Sequence, residues 1–304
     1  MADRGIRSKG RGGSGPGHGP PAETGRGAVA GVRWPLVALG LLAAYGIGLA
    51  GGLAVHQLGW WDGAAWERAV LGLAQRPVPS TVDEALLIIP LFTTNYALVP
   101  VVLFVAAWLW RPPGAGGSVL LASLGASILA GGAQLVALFV LDDRVPLALF
   151  SILALLGAAA AIWMDRRTGP RESRPLVAMH LLVVQLGSWA LNPALKLTLP
   201  RPRPELFEPR GQYALPAYPS GHVIAATAVL FTAAYLIHRS GHGRWGYALA
   251  AVLLPLIAWS RVYLAVHWPT DVMGGAVVGA VWLLATLAAF RPAHERGAMR
   301  STVP

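Results

Sequence analysis

WPLVALGLLAAYGIGLAGGLA, residues 34–54, is an apolar run of 21 residues without one charge. About 20 apolar residues in a helix cross the hydrocarbon core of a bilayer. A long basic leader of 33 residues precedes it and the run is full length, whereas a secretory signal has a shorter apolar core and a small-residue cleavage site. The run therefore reads as a retained span.

Outward from this segment the pattern repeats. Further apolar runs lie at 88–110, 118–140, 145–164, 175–195, 221–238, 246–263 and 271–290. They predict an all-α polytopic membrane helical bundle of about eight transmembrane helices. Asp142, Asp143 and Arg144 mark a polar turn between two of them, so 118–164 is expected to form a hairpin, spanning or re-entrant. Residues 60–84, with Trp60, Trp61, Trp66 and scattered charges, are expected to lie along an interface. Gly48…Gly52 and Gly275…Gly279 are pairs that let helices approach closely. The expected domains are a basic cytoplasmic tail without packed structure at 1–33, a transmembrane domain at 34–292 and a short cytoplasmic tail at 293–304.

Composition agrees with a membrane protein. The chain is 55% hydrophobic and 12% charged, against about a quarter charged in soluble domains. The net charge of +10 is spread between apolar runs, which argues against a nucleic-acid partner. Cysteine is absent, which removes disulfides and a thiolate nucleophile. Arginine dominates the basic residues, and the two lysines are Lys9 and Lys196.

Basic residues also orient the spans. With the N-terminus in the cytoplasm, 16 of 24 lie inside. Five of the eight outside are Lys196, Arg201, Arg203, Arg210 and Arg261, in or beside three polar clusters. The clusters are therefore expected on the extracytoplasmic face of a plasma membrane. The tail reads as a solvated topology determinant.

The first cluster runs from Lys196 to Pro204, where alternating prolines forbid a helix and stiffen the chain. That holds Arg203 at a fixed reach from Lys196. The second is Pro219-Ser220-Gly221-His222 at the start of a span. Serine favours the helix N-cap, glycine permits close approach, and helix N–H groups attract an anion. The third is Ser260-Arg261…His267…Asp271. Asp271, in a first helical turn, stands four residues after His267, near enough to accept from one ring nitrogen and leave the other as a nucleophile. Taken singly, each cluster also suits a structural cap or an interfacial basic residue. Jointly they supply three cations, two histidines and a carboxylate at span ends. His56, His180 and His238 read as bystanders.

This arrangement resembles the type 2 phosphatidic acid phosphatase superfamily, whose signature is Lys-x6-Arg-Pro, Pro-Ser-Gly-His and Ser-Arg-x5-His-x3-Asp. Every signature position is matched between residues 196 and 271. The resemblance implies that Lys196, Arg203 and Arg261 hold the phosphoryl oxygens, with Ser220 and the Gly221 backbone adding hydrogen bonds. It implies that His267 attacks phosphorus, Asp271 orients it and His222 protonates the leaving oxygen. Usual membrane members have six spans, so 118–164 looks like an insertion. The expected activity is hydrolysis of a lipid phosphate or diphosphate, such as polyprenyl diphosphate, phosphatidate or phosphatidylglycerophosphate. No cofactor and no metal are expected. The partners are the lipid substrate and membrane lipids, and the oligomeric state stays open, a homodimer included. A phosphotransferase would use the same residues. A transporter or lipid-binding protein would share the spans, but charges are scarce inside them.

Overall fold

The computed structural model describes residues 31–110, 174–210 and 215–300. Its elements are helices: α1 (Trp34–Gln57), α2 (Ala65–Ala74), α3 (Ser80–Ile88), α4 (Asn95–Trp110), α5 (Arg174–Thr198), α6 (Gly221–Arg239), α7 (Trp245–Tyr263) and α8 (Pro269–Arg300). Among the described residues α1, α5, α6, α7 and α8 are long and apolar enough to cross a membrane. The expected basic tail up to residue 30 and the expected hairpin at 118–164 lie outside the described residues.

Helix boundaries follow local chemistry. Pro35 opens α1, where a missing N–H costs nothing. Gly59 closes it with φ of +70°, while Gly59 N donates to His56 O and Trp60 N to Val55 O. This is the left-handed turn that satisfies the last carbonyls of a helix. The run at 88–110 departs from expectation. It is divided into the end of α3, a 3₁₀ turn at Ile89–Thr93 and α4. Pro90 sits in that turn and lacks an N–H to continue a helix, and the Thr93 hydroxyl donates to the Pro90 carbonyl. At the other end of the chain α8 continues past Pro292 to Arg300.

The long helices pack around α8, which lies against α1, α5 and α6. Trp282 of α8 is 1% exposed and donates its indole N–H to Val184 O of α5 at 3.0 Å. Leu195, Ile224, Ala228 and Val278 fill the same core. Gly275 and Gly279 permit the closest approach. A Cβ on either would stand 2.6 Å from Ser220 O or 2.8 Å from Ile224 O, so α8 rests directly on the α6 backbone. Leu42, Met273, Val277 and Leu284 point outward, as side chains facing lipid do.

The bundle has two chemically distinct ends. At one, Arg33 N donates to Ala289 O and Arg296 donates to Gly31 O, so the start of α1 meets the last third of α8. The opposite end collects the last turns of α1, α5 and α7 and the first turns of α6 and α8. All three polar clusters lie there.

Candidate active site

The chain leaves α5 just after Lys196 and runs through Pro200, Pro202 and Pro204 without regular structure. Lys196 is 3% exposed. Its ammonium donates to the carbonyls of Pro216 and, at 3.0 Å, Ala217. Arg203 returns to the same place. It donates to Leu215 O at 2.8 Å, to Val266 O at 2.5 Å and to Pro216 O at 3.3 Å. Two cations thus share one carbonyl acceptor. Bringing like charges together in a desolvated place is unfavourable unless an anion joins them.

Tyr218 anchors this loop by donating to Gly48 O of α1 at 3.1 Å. Burial, and then the negative charge of Asp271, push its hydroxyl up to about 12, so it stays a donor. Ser220 follows at the N-cap of α6 but does not cap through its side chain. Its hydroxyl is fully buried and has no hydrogen-bond partner among the described residues. Its main-chain N–H donates instead to Asp271 O at 2.9 Å. Gly221 is needed for space as well. A Cβ there would meet the Asn192 side chain at 2.5 Å. Asn192, one turn before Lys196, carries no sequence signal, and its side-chain oxygen is buried without a partner among the described residues.

The third cluster depends on how α7 ends. Arg261, 1% exposed, lies in its last turn. Ala265 then adopts φ of +55°, with Ala265 N donating to Val262 O and Val266 N to Arg261 O. Glycine normally fills this left-handed position. The reversal aims the following residue, His267, inward at 2% exposure. Its Nδ1 stands 3.4 Å from Oδ2 of Asp271. The same oxygen accepts the Trp268 N–H at 2.8 Å.

Charge gathers around His267. Burial first, then Lys196, Arg203, Arg261 and His222, hold its imidazole well below the usual histidine range. A neutral ring with Nδ1 facing a carboxylate leaves Nε2 as a lone pair. Lys196, Ser220, Arg261, His267 and Asp271 are buried, whereas Arg203, Gly221 and His222 are partly exposed. The site therefore opens to the outside along Arg203 and His222. All eight residues expected from sequence lie at this one end of the bundle.

Three further residues complete the place and were not predicted for it. Arg201, Glu67 and Thr270 form a buried polar network with Asp271. In the sequence, charge alone groups Arg201 with its neighbours, and Glu67 stands only within an interfacial segment. The available signal was that both place charge in a chain with few acids. His180 lies far from this end, stacked on Phe290 at 4.3 Å and 3.3 Å from His294.

Clustered cations, a desolvated histidine and a carboxylate behind it thus stand together at one end of a bundle of long apolar helices. Residues 177–295 match the PAP2 superfamily. The Escherichia coli (strain K12) protein named "Putative undecaprenyl-diphosphatase YbjG" is 33% identical over 49% of this chain and 69% of its own length. Phosphatidylglycerophosphatase B of Bacillus subtilis (strain 168) is 38% identical over 29% of this chain and 46% of its own length. A crystal structure of a transmembrane PAP2-type phosphatidylglycerolphosphate phosphatase from Bacillus subtilis aligns with a TM-score of 0.49 and 20% identity. It covers 82% of this chain and 94% of that one. The chain belongs to the PAP2 superfamily.

Proposed function

We propose that the protein hydrolyses a lipid phosphate or diphosphate through a phosphohistidine, with polyprenyl diphosphate to monophosphate as the preferred reaction. The observation that carries this reading is the convergence of Lys196 and Arg203 on Pro216 O beside the buried His267, whose imidazole is held below the usual histidine range by burial and these cations. A phosphoryl group joining the two cations would meet the nucleophile directly.

Lys196, Arg203 and Arg261 neutralise the equatorial oxygens as charge builds in the transition state. Arginine adds two parallel donors where lysine supplies a point charge. The unpartnered Ser220 hydroxyl donates to the same group. Nε2 of His267 attacks phosphorus while the bond from phosphorus to the leaving oxygen breaks, and His222 gives that oxygen its proton. Water then cleaves the nitrogen–phosphorus bond, returning a proton to His222. Asp271 keeps the proton of His267 on Nδ1 and stabilises the charge the ring gains. Three fixed cations supply the charge a metal would otherwise bring, so catalysis proceeds without one.

A site at a span end suits a substrate whose headgroup lies at the interface and whose tail stays in lipid. The names of the relatives support a lipid substrate, undecaprenyl diphosphate in one and phosphatidylglycerophosphate in another. The site faces the extracytoplasmic side. Arg33, Arg239, Arg291 and Arg296 gather at the opposite end, around Gly31, Ala289 and His294, as cytoplasmic arginines do.

The deciding experiment is phosphate release in EDTA by detergent-purified protein, wild type against His267→Ala, on undecaprenyl diphosphate and phosphatidate. Release by wild type alone supports the reading, and the faster lipid is the substrate class. Equal release by both proteins removes His267 as nucleophile. Loss in EDTA with recovery in Mg²⁺ removes the metal-free mechanism. Sidedness is read with single cysteines, since the chain has none. Glu208→Cys should react with an impermeant maleimide added outside intact cells, and Glu295→Cys only after lysis.

A further inference from the structure

Arg201 lies two residues before the phosphate-binding candidate Arg203, yet its surroundings differ in kind. It is fully buried, as is Glu67. A guanidinium has five N–H donors, and here each group of donors is occupied. Nε donates to Trp61 O at 2.9 Å. Nη1 donates to the Thr270 hydroxyl at 2.5 Å and to Oδ1 of Asp271 at 2.7 Å. Nη2 donates to Trp60 O at 2.5 Å and to Oε2 of Glu67 at 3.0 Å. No donor remains for a substrate.

The acceptors are equally engaged. Oε2 of Glu67 also accepts the Ala64 N–H at 2.9 Å. Oε1 accepts the Thr270 N–H at 3.1 Å and the Thr270 hydroxyl at 2.6 Å. Arg201 is thus a cation held between two carboxylates, one of which backs His267. Buried charges are tolerated when paired and fully hydrogen-bonded, and a network of this kind fixes its members in one geometry.

We propose that Arg201, backed by Glu67, is a positioning residue for the nucleophile: it pins Oδ1 of Asp271 so that Oδ2 faces Nδ1 of His267. This rests on His267 being the nucleophile, as proposed above. Glu67 balances the charge of Arg201, so that Asp271 is oriented without losing its negative field at His267. Groups from every neighbouring element contribute to that field: Lys196 from α5, Arg203 from the proline segment, His222 from α6, Arg261 from α7 and Asp271 from α8.

The test removes one charge at a time and follows the acid limb of kcat/KM, which reports loss of the free neutral nucleophile. Glu67→Gln keeps the shape and leaves the Arg201 cation unbalanced. Its acid limb should move to lower pH, by roughly 0.5 unit. Arg201→Gln leaves Asp271 without its cation, and its limb should move to higher pH. Both should lose kcat by roughly 10-fold or more with KM changed less than about twofold. A purely structural staple would move neither limb, and activity would track the folded fraction seen by gel filtration. That result overturns the proposal. Should Arg201→Gln fail to fold, Glu67→Gln decides: a downward shift supports positioning, and an unmoved limb overturns it. His267→Ala runs alongside. If it retains wild-type turnover, the phosphatase reading has failed. If it is inactive while both network variants match wild type, the positioning inference alone has failed.

Discussion

The main-chain N–H of Ser220 donates to the carbonyl of Asp271 at 2.9 Å. This bond ties the first turn of α6 to the first turn of α8. The helix carrying His222 and the helix carrying the partner of His267 therefore start from one joined point, and Gly275 keeps them in contact one turn later.

The Ser220 hydroxyl is buried without a partner, so its removal should be felt in function and not in folding. A serine that caps a helix through its side chain contributes about 1 kcal/mol. Ser220→Ala is expected to change stability by less than about 0.5 kcal/mol. It should lower kcat by roughly 10²-fold, as loss of one transition-state donor does. A large drop in the thermal midpoint with unchanged turnover of the folded fraction would assign Ser220 to the cap.

His222 acts on the leaving oxygen in the proposed mechanism, so its importance should depend on that oxygen. With a lipid diphosphate, His222→Ala should cost roughly 10²–10⁴-fold in kcat. A p-nitrophenyl ester needs little proton donation, and there the defect should shrink to a small part of that. Equal defects on both substrates would contradict an acid role.

Burial and the surrounding cations disfavour a proton on His267. The acid limb of kcat/KM should therefore lie below about pH 6.5, the ordinary histidine value. Linkage has a definite sign here. Below about pH 6.5 the unfolded chain accepts a proton that the folded site refuses, so stability present above that pH is lost as the pH falls. His267→Gln should flatten that part of the stability profile. A limb above pH 7 would show that the ring is charged in the resting protein.

Gly275 faces a carbonyl oxygen that cannot move without moving α6, because Ile224 N donates to that same Ser220 O. Gly275→Ala is expected to destabilise by about 1–3 kcal/mol and to lower activity in the remaining folded protein. Gly46 of α1, with nothing near its absent Cβ, is the control. Gly46→Ala should raise stability by about 0.5–1 kcal/mol. The thermal midpoints of the two variants in one detergent make the comparison.

Much of the architecture was legible in the chain. Bilayer crossing depends on the length of an apolar run, a local property, and 34–54, 175–195, 221–238, 246–263 and 271–290 all became long helices. The clusters were legible because they stand where those runs stop. The run at 88–110 misled because hydropathy does not register the 3₁₀ turn at Ile89–Thr93, and proline alone does not mark such a break, since Pro193, Pro255 and Pro292 stand inside continuous helices. The left-handed turn at Ala265 left no mark either, since alanine carries none of the glycine signal that closes α1 at Gly59.

Residue type and spacing thus set the spans, the polar clusters and the chemistry those side chains offer. The signature spacing singles out Arg203 of two arginines in one proline-rich segment, but only folding gave Arg201 a place. Arg201 meets Glu67, 134 residues away, and spends every donor inside the protein. Arg203 turns to the loop carbonyls at the partly open edge. Desolvation and the pairing of buried donors depend on distant chain segments meeting, and no local pattern encodes that. For the same reason a serine at a cap position became a buried hydroxyl that caps nothing.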